Sequence, residues 1–274
     1  MSIAPAPVAA LPRDGLATML GRRGRDWVPA LFVLVAFLGL WQAIVKGAHV
    51  QRFLLPAPTA IWTAFSSNQG QLWHEGWVTF QEALGGFAIG CGLALVVALV
   101  LARWRGVGRA LMPYMIAANA IPIIAFAPIM NAWFDPFSKF SKMAIAAVLC
   151  FFPVLVNTLR GLTSVRPQSI ELMQSYAAGE IETFRRVRIP TALPFIFTSL
   201  KIATVLAMIG AIVGEYFGGA FTALGVLIDS RSTTFQFKEA WAGIGVACAY
   251  GIAFYLAVAL LERLTLRGMP STGD

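Results

Sequence analysis

Six apolar runs, each close to twenty residues or longer, limit what this chain can fold into more than any other feature. They lie at approximately 27–46, 76–102, 110–133, 142–160, 191–217 and 239–262. A bilayer core is about 30 Å thick and a helix rises about 1.5 Å per residue, so runs of this length read as transmembrane helices. A mean hydropathy of +0.73 with 12% charged residues leaves too little polar surface for a soluble fold of 274 residues. The expected fold is therefore an all-α polytopic membrane protein with six transmembrane helices. The run at 27–46 exceeds a signal-peptide core and shows no small-residue cleavage site before Lys46, so it is expected to be retained. Residues 1–26 read as a disordered cytosolic N-terminus, 27–264 as one membrane domain, and 265–274 as a cytosolic tail.

A formal net charge of +8 raises the question of nucleic acid. The basic residues stand at the ends of the apolar runs and form no soluble patch, so no nucleic-acid partner is expected. Their distribution sets orientation. With the N-terminus inside, Arg13, Arg22, Arg23, Arg25, Arg103, Arg105, Arg109, Arg160, Arg166, Arg185, Arg186, Arg188, Arg263 and Arg267 are cytosolic. Only Lys46, Arg52, Lys139, Lys142, Arg231 and Lys238 are outside, and Lys201 falls within a span. The positive-inside rule then places both termini and the segment 161–190 in the cytosol.

That segment contains a charged island, Glu171–Pro190, ELMQSYAAGEIETFRRVRIP. Pro167 suits a first helical turn, and Ile170, Met173 and Ala177 share a face, predicting a short helix over 169–178 that stops at Gly179. A second helix over 181–187 sets Ile181, Phe184 and Val187 on one side and Glu182, Arg185 and Arg186 on the other, until Pro190 ends it. The expected product is a helix-turn-helix elbow with one apolar stripe.

These residues resemble the cytoplasmic coupling loop of bacterial ABC importer permeases, which runs Glu-Ala-Ala, three residues, Gly-Ala, five residues, Phe, then a branched apolar residue and Pro. Glu171, Ala178, Phe184, Val187 and Ile189-Pro190 match this pattern. Leu172 and Met173 replace the two alanines, and Ala177 stands where glycine is usual, with Gly179 two places on, which suggests a displaced turn. Ahead of the second span, the Leu-Pro-x-Pro stretch Leu55–Pro58 is similar to that of taurine, sulfonate, nitrate and pyrimidine-type importers, extending the resemblance from Phe53 to Arg263.

The resemblance implies a type I ABC importer permease fold in a bacterial cell membrane. It also implies a second permease copy forming a homodimer, an extracytoplasmic substrate-binding protein, and an ABC ATPase docked on Glu171, Met173, Gln174, Tyr176, Ala177, Ala178, Gly179, Phe184 and Pro190. In that arrangement Glu171 orients the docked helix, Ala177, Ala178 and Gly179 permit close approach, and Phe184 anchors the second helix. The SYAA and VGEYFGG stretches look closest to permeases for pyrimidines, thiamin precursors or riboflavin-like compounds; a sulfonate- or nitrate-type anion is the other implied class.

The chain has no G-x-x-x-x-G-K-[ST] phosphate loop, so ATP binding and hydrolysis are assigned to a partner and the chain itself is read as non-catalytic, without a cofactor. Cys91, Cys150 and Cys248 lie mid-span without metal or disulfide spacing and read as small core residues. Polar groups inside a bilayer are costly, which makes Asn119, Asn131, Asn157 and Glu215 candidates for the substrate path. For Asn119 and Asn131, hydrogen bonding between helices is the alternative; for Glu215, a few residues from the outer interface, it is simple contact with water. Pro113, Pro122 and Pro128 interrupt the third span, and Gly86 and Gly90 allow close helix approach in the second. An autonomous secondary transporter or channel is the competing function, weakened by the lack of an evident inverted repeat.

Overall fold

The computed structural model describes residues 16–48, 55–120, 122–219 and 222–267, and every regular element among them is a helix. Residues up to Ala60 and from Ile61 form two units. The first contains α1 (Leu16–Gly47), whose Leu31–Gly47 part is apolar. The backbone is helical from Leu16, where the sequence suggested disorder as far as Asp26; residues 1–15 and 268–274 lie outside the described residues.

Next, α2 (Pro58–Arg103) bends at Asn68, so that a short first segment runs on into a long span. Then come α3 (Arg105–Ala118), α4 (Ile123–Phe134), α5 (Lys139–Thr163), α6 (Pro167–Ser175), α7 (Glu180–Thr183), α8 (Ile189–Phe217), α9 (Leu224–Thr233) and α10 (Phe237–Leu266). Among the described residues four helices have crossing length and composition: α2, α5, α10 and the continuous helix Glu180–Phe217. The expected third span is instead a pair, α3 and α4, bent by 95°. Pro113 and Pro128 are carried inside these helices and the break falls at Pro122, the N-cap of α4, where a missing N–H costs nothing. Among the described residues six uninterrupted spans are therefore not found.

Lipid gives helices no hydrophobic reason to associate, so close contact must come from small residues. Ala146 of α5 illustrates this. A Cβ added at Gly210 of α8 would stand 2.6 Å from Ala146 Cα, and one added at Gly86 of α2 would stand 2.6 Å from Met143 O, one turn away. Gly86 and Gly90 thus do what their spacing suggested, and α5 is clasped between α2 and α8. The core around this seam is made of Ala83, Ala94, Ala98, Cys91, Cys150, Ala203, Ala207 and Ala211 among others. Cys248, expected in the core, is exposed on the helical surface.

The candidate coupling elbow and the buried polar group

α6 begins with Pro167 at its first turn and ends in a Schellman motif: Ala178 N–H donates to Met173 O at 3.0 Å and Ala177 N–H to Gln174 O at 2.9 Å. This motif demands a left-handed residue, and Ala177 supplies it with φ of 55°. The turn is therefore not displaced to Gly179. Ala177 takes the left-handed conformation at the position where the resembling pattern has glycine, and Gly179 instead caps α7 in an extended conformation, with open space at its Cα.

Pro190 does not end the second helix. A π-helical turn over Phe184–Arg188 precedes it, in which Ile189 N–H reaches back to Phe184 O, and the helix continues through Pro190 to Phe217. The wider turn shifts the hydrogen-bond register just where Pro190 lacks an N–H, which lets the ring be accommodated. One rigid element thus joins the elbow to a span.

Ile170, Met173, Phe184 and Val187 are half-buried, and Phe184 packs on the main core. Ile181, expected on the same stripe, is 85% exposed, and Leu172 and Tyr176 are also exposed, as are Glu171 and Gln174. Glu180 pairs with Arg103 at the end of α2 at 2.8 Å, Glu182 with Arg186 at 3.0 Å, and Arg188 Nη1 donates to Ala102 O at 3.5 Å. Cavities of about 550 and 570 Å³ flank the elbow. Glu171, Arg109 and Thr163 line the first, Ala178, Ile181 and Phe184 the second, and Gln174 and Arg188 both.

The four candidate path residues separate into two kinds. Asn119 and Asn157 donate to their own helices, to Met115 O at 3.3 Å and Pro153 O at 2.9 Å. Asn131 and Glu215 are brought together: Asn131 is buried and donates to Gly214 O at 3.2 Å, while Glu215, 1% exposed, accepts from Gly225 N–H at 2.6 Å. With them lie Thr79, Glu82 and Lys142, all buried, which sequence reasoning had not joined to the site. Lys142 was assigned to the outside charge count; it is fully buried, donating to Pro136 O and to Ser138 O. Glu82 was detectable as a carboxylate inside a predicted span. Lys201 finds a partner in Glu262 of α10 at 2.6 Å, both half-buried.

A multi-span helical bundle carrying an exposed two-helix elbow on a continuous span is the type I ABC permease architecture. Residues 86–267 match the model of the family described as binding-protein-dependent transport system inner membrane component. A riboflavin transport system permease protein of Chloroflexus aurantiacus is 34% identical over 249 residues, covering 88% of this chain and 91% of that protein. A formylaminopyrimidine transport permease protein of Halalkalibacterium halodurans is 34% identical over 242 residues, covering 87% and 94%. A bicarbonate transport system permease protein of Synechocystis is 26% identical over 262 residues, covering 90% and 91%. The chain belongs to this permease family: it is a non-catalytic, multi-pass membrane subunit of an ABC transport system for small solutes.

Proposed function

We propose that this chain works as a pair of copies, takes substrate from an extracytoplasmic binding protein, and is driven by a separate ATPase that binds and hydrolyses ATP and docks on the elbow. The observation that carries this reading is the elbow's construction. An exposed short helix bearing Glu171, Leu172, Gln174 and Tyr176 is joined, through one turn, to a helix that continues unbroken into α8. Apolar side chains beside a carboxylate suit a cleft in another protein, and the rigid continuation passes a push on the elbow into the membrane domain.

Glu171 orients the docked helix, Ala177, Ala178 and Gly179 let the partner approach closely, Met173, Gln174 and Tyr176 complete the contact, and Phe184 and Pro190 anchor the elbow to its own chain. Asn119, Asn131, Asn157 and Glu215 face or flank the path in at least one state of the cycle. The arginine distribution supports placing both termini in the cytosol, with the elbow. The relatives named for riboflavin and formylaminopyrimidine support a nitrogen-containing ring compound as substrate.

The test is uptake into proteoliposomes of labelled riboflavin, formylaminopyrimidine and an aliphatic sulfonate, with and without the ATPase and binding protein. ATP-dependent uptake of a ring compound is expected. Uptake driven by an ion gradient with the chain alone would establish the secondary transporter instead.

A further inference from the structure

The buried polar group lies at the far end of the spans from the elbow. Glu215 follows Ile189, where α8 leaves the elbow, by 26 residues, a rise of roughly 40 Å along one helix. Its members come from three spans and converge on the start of α9. Leu224 N–H donates to Thr79 Oγ1 at 3.0 Å and Gly225 N–H donates to Glu215 Oε2 at 2.6 Å. Two side chains from two different spans thus hold the first two residues of α9, satisfying amides that begin a helix and have no partner within it.

The enclosure is built to fit. A Cβ at Gly218 would stand 2.8 Å from Lys142 Nζ, and one at Gly225 would stand 2.6 Å from Glu215 Oε2 and 2.8 Å from Ile212 O. Gly218 and Gly225 therefore let backbone close directly over the Lys142 amine and the Glu215 carboxyl. The Glu82 carboxyl lies close to that of Glu215, with the Lys142 amine nearby.

A permanent rivet would leave no polar atom without a partner, since each buried unpaired oxygen costs free energy. Here Glu82 Oε2, Glu215 Oε1 and Asn131 Oδ1 have no donor. Water admitted by opening would satisfy these three atoms and offset the bonds lost, so the closed group is poised to open.

We propose that Thr79, Glu82, Lys142 and Glu215 form a positioning latch that holds the start of α9 closed over the ends of the spans, and that the transport cycle opens it. This rests on the permease reading above and adds the residues that set the closed state on the side opposite the elbow.

The test uses the permease–ATPase complex in proteoliposomes with Thr79→Cys and Leu224→Cys combined, because a 3.0 Å hydroxyl-to-amide contact puts the two residues within disulfide reach. Oxidant-driven cross-linking is timed in the resting complex and in the complex trapped with ATP and vanadate. The latch, held in this reporter by the Gly225–Glu215 bond that Thr79→Cys leaves in place, predicts ready cross-linking at rest and roughly tenfold slower cross-linking when trapped, the factor expected when that hydrogen bond is lost. It also predicts that the cross-linked complex stops hydrolysing ATP until reduced. Adding Glu215→Gln, which keeps an acceptor for Gly225 N–H but removes the carboxyl from the enclosure, slows cross-linking at rest severalfold. Equal rates in the two states, or no cross-link at rest, overturn the latch; failure of the ATPase to assemble with the unmutated chain overturns the docking reading instead.

Discussion

Replacing Gly90 by Ala tests the seam on which the membrane domain is built. The added Cβ would stand 2.8 Å from Ala147 Cα and closer still to the Ala147 carbonyl oxygen, whereas ordinary contact begins at 3.4 Å. The obstacle is backbone, so no side chain can rotate away, and relieving the 2.3 Å approach to the Ala147 oxygen alone requires α2 and α5 to part by about 3.4 − 2.3 = 1.1 Å. A gap of about 0.5–1 Å forfeits a quarter to a half of each atom-pair attraction along the contact, and overpacking of this kind costs about 1–3 kcal/mol. Exchanging Gly for Ala in a helix also brings a propensity gain of up to about 1 kcal/mol, which would mask part of that loss. Gly92, two residues on, has nothing within 4 Å of its added Cβ and receives the same gain without the collision. The difference between the two variants therefore isolates the seam. Thermal unfolding of both in the same detergent should place Gly90→Ala on the order of 3–10 °C below Gly92→Ala. Equal melting temperatures would refute the close approach of α2 and α5.

Three further outcomes follow from the elbow and from α8. Relief of the left-handed strain at Ala177 is worth about 1–2 kcal/mol, less the extra unfolded-state freedom of glycine, about 0.4–1 kcal/mol. Ala177→Gly should therefore slow proteolytic cleavage of the elbow about two- to fivefold, while Ala177→Val speeds it; the reverse order would sink the assignment of the turn. Glu171→Lys or Ala178→Trp should lower the amount of ATPase that co-purifies, whereas Phe184→Ala, losing its seat on the core, should lower the melting temperature with ATPase retention per folded permease unchanged; full retention in both elbow variants would show that the partner docks elsewhere. Lys201→Met and Glu262→Gln should each destabilise alone and less than additively together, with a coupling of about 1–3 kcal/mol in a double-mutant cycle; strict additivity would mean that the pair does not form in the membrane.

The elbow's existence, its Pro167 start and the anchoring face of Phe184 were legible because they depend on local spacing: proline fixes a first turn, and residues three and four apart share a face. The apolar runs were legible because a bilayer imposes length and composition on any helix that crosses it. Gly86 and Gly90 declared a close contact, although not that Met143, Ala146 and Ala147 would be the residues met. Where the sequence misled, a neighbour had overruled a local rule. Pro190 continues a helix because a π turn before it changes the register, Ala177 takes a conformation that glycine would adopt more easily, and Ile181 turns outward beside a half-buried Phe184.

The buried group at the other end lies further from reach. Thr79, Glu82, Lys142, Glu215 and Gly225 are spread over almost 150 residues of chain. Nothing local relates a lysine counted as a surface charge to a carboxylate in another span, and α9 carries no periodic apolar pattern that would announce it. Its first amides are capped by side chains from α2 and α8, so the helix begins where it does only after those spans have packed. What the sequence determined by itself is what the solvent and the nearest few residues dictate: a helical membrane protein with a charged elbow. Which charges share an enclosure, and which amides they hold, was decided by tertiary packing, because the cost of a buried polar group falls only when a partner arrives from elsewhere in the chain.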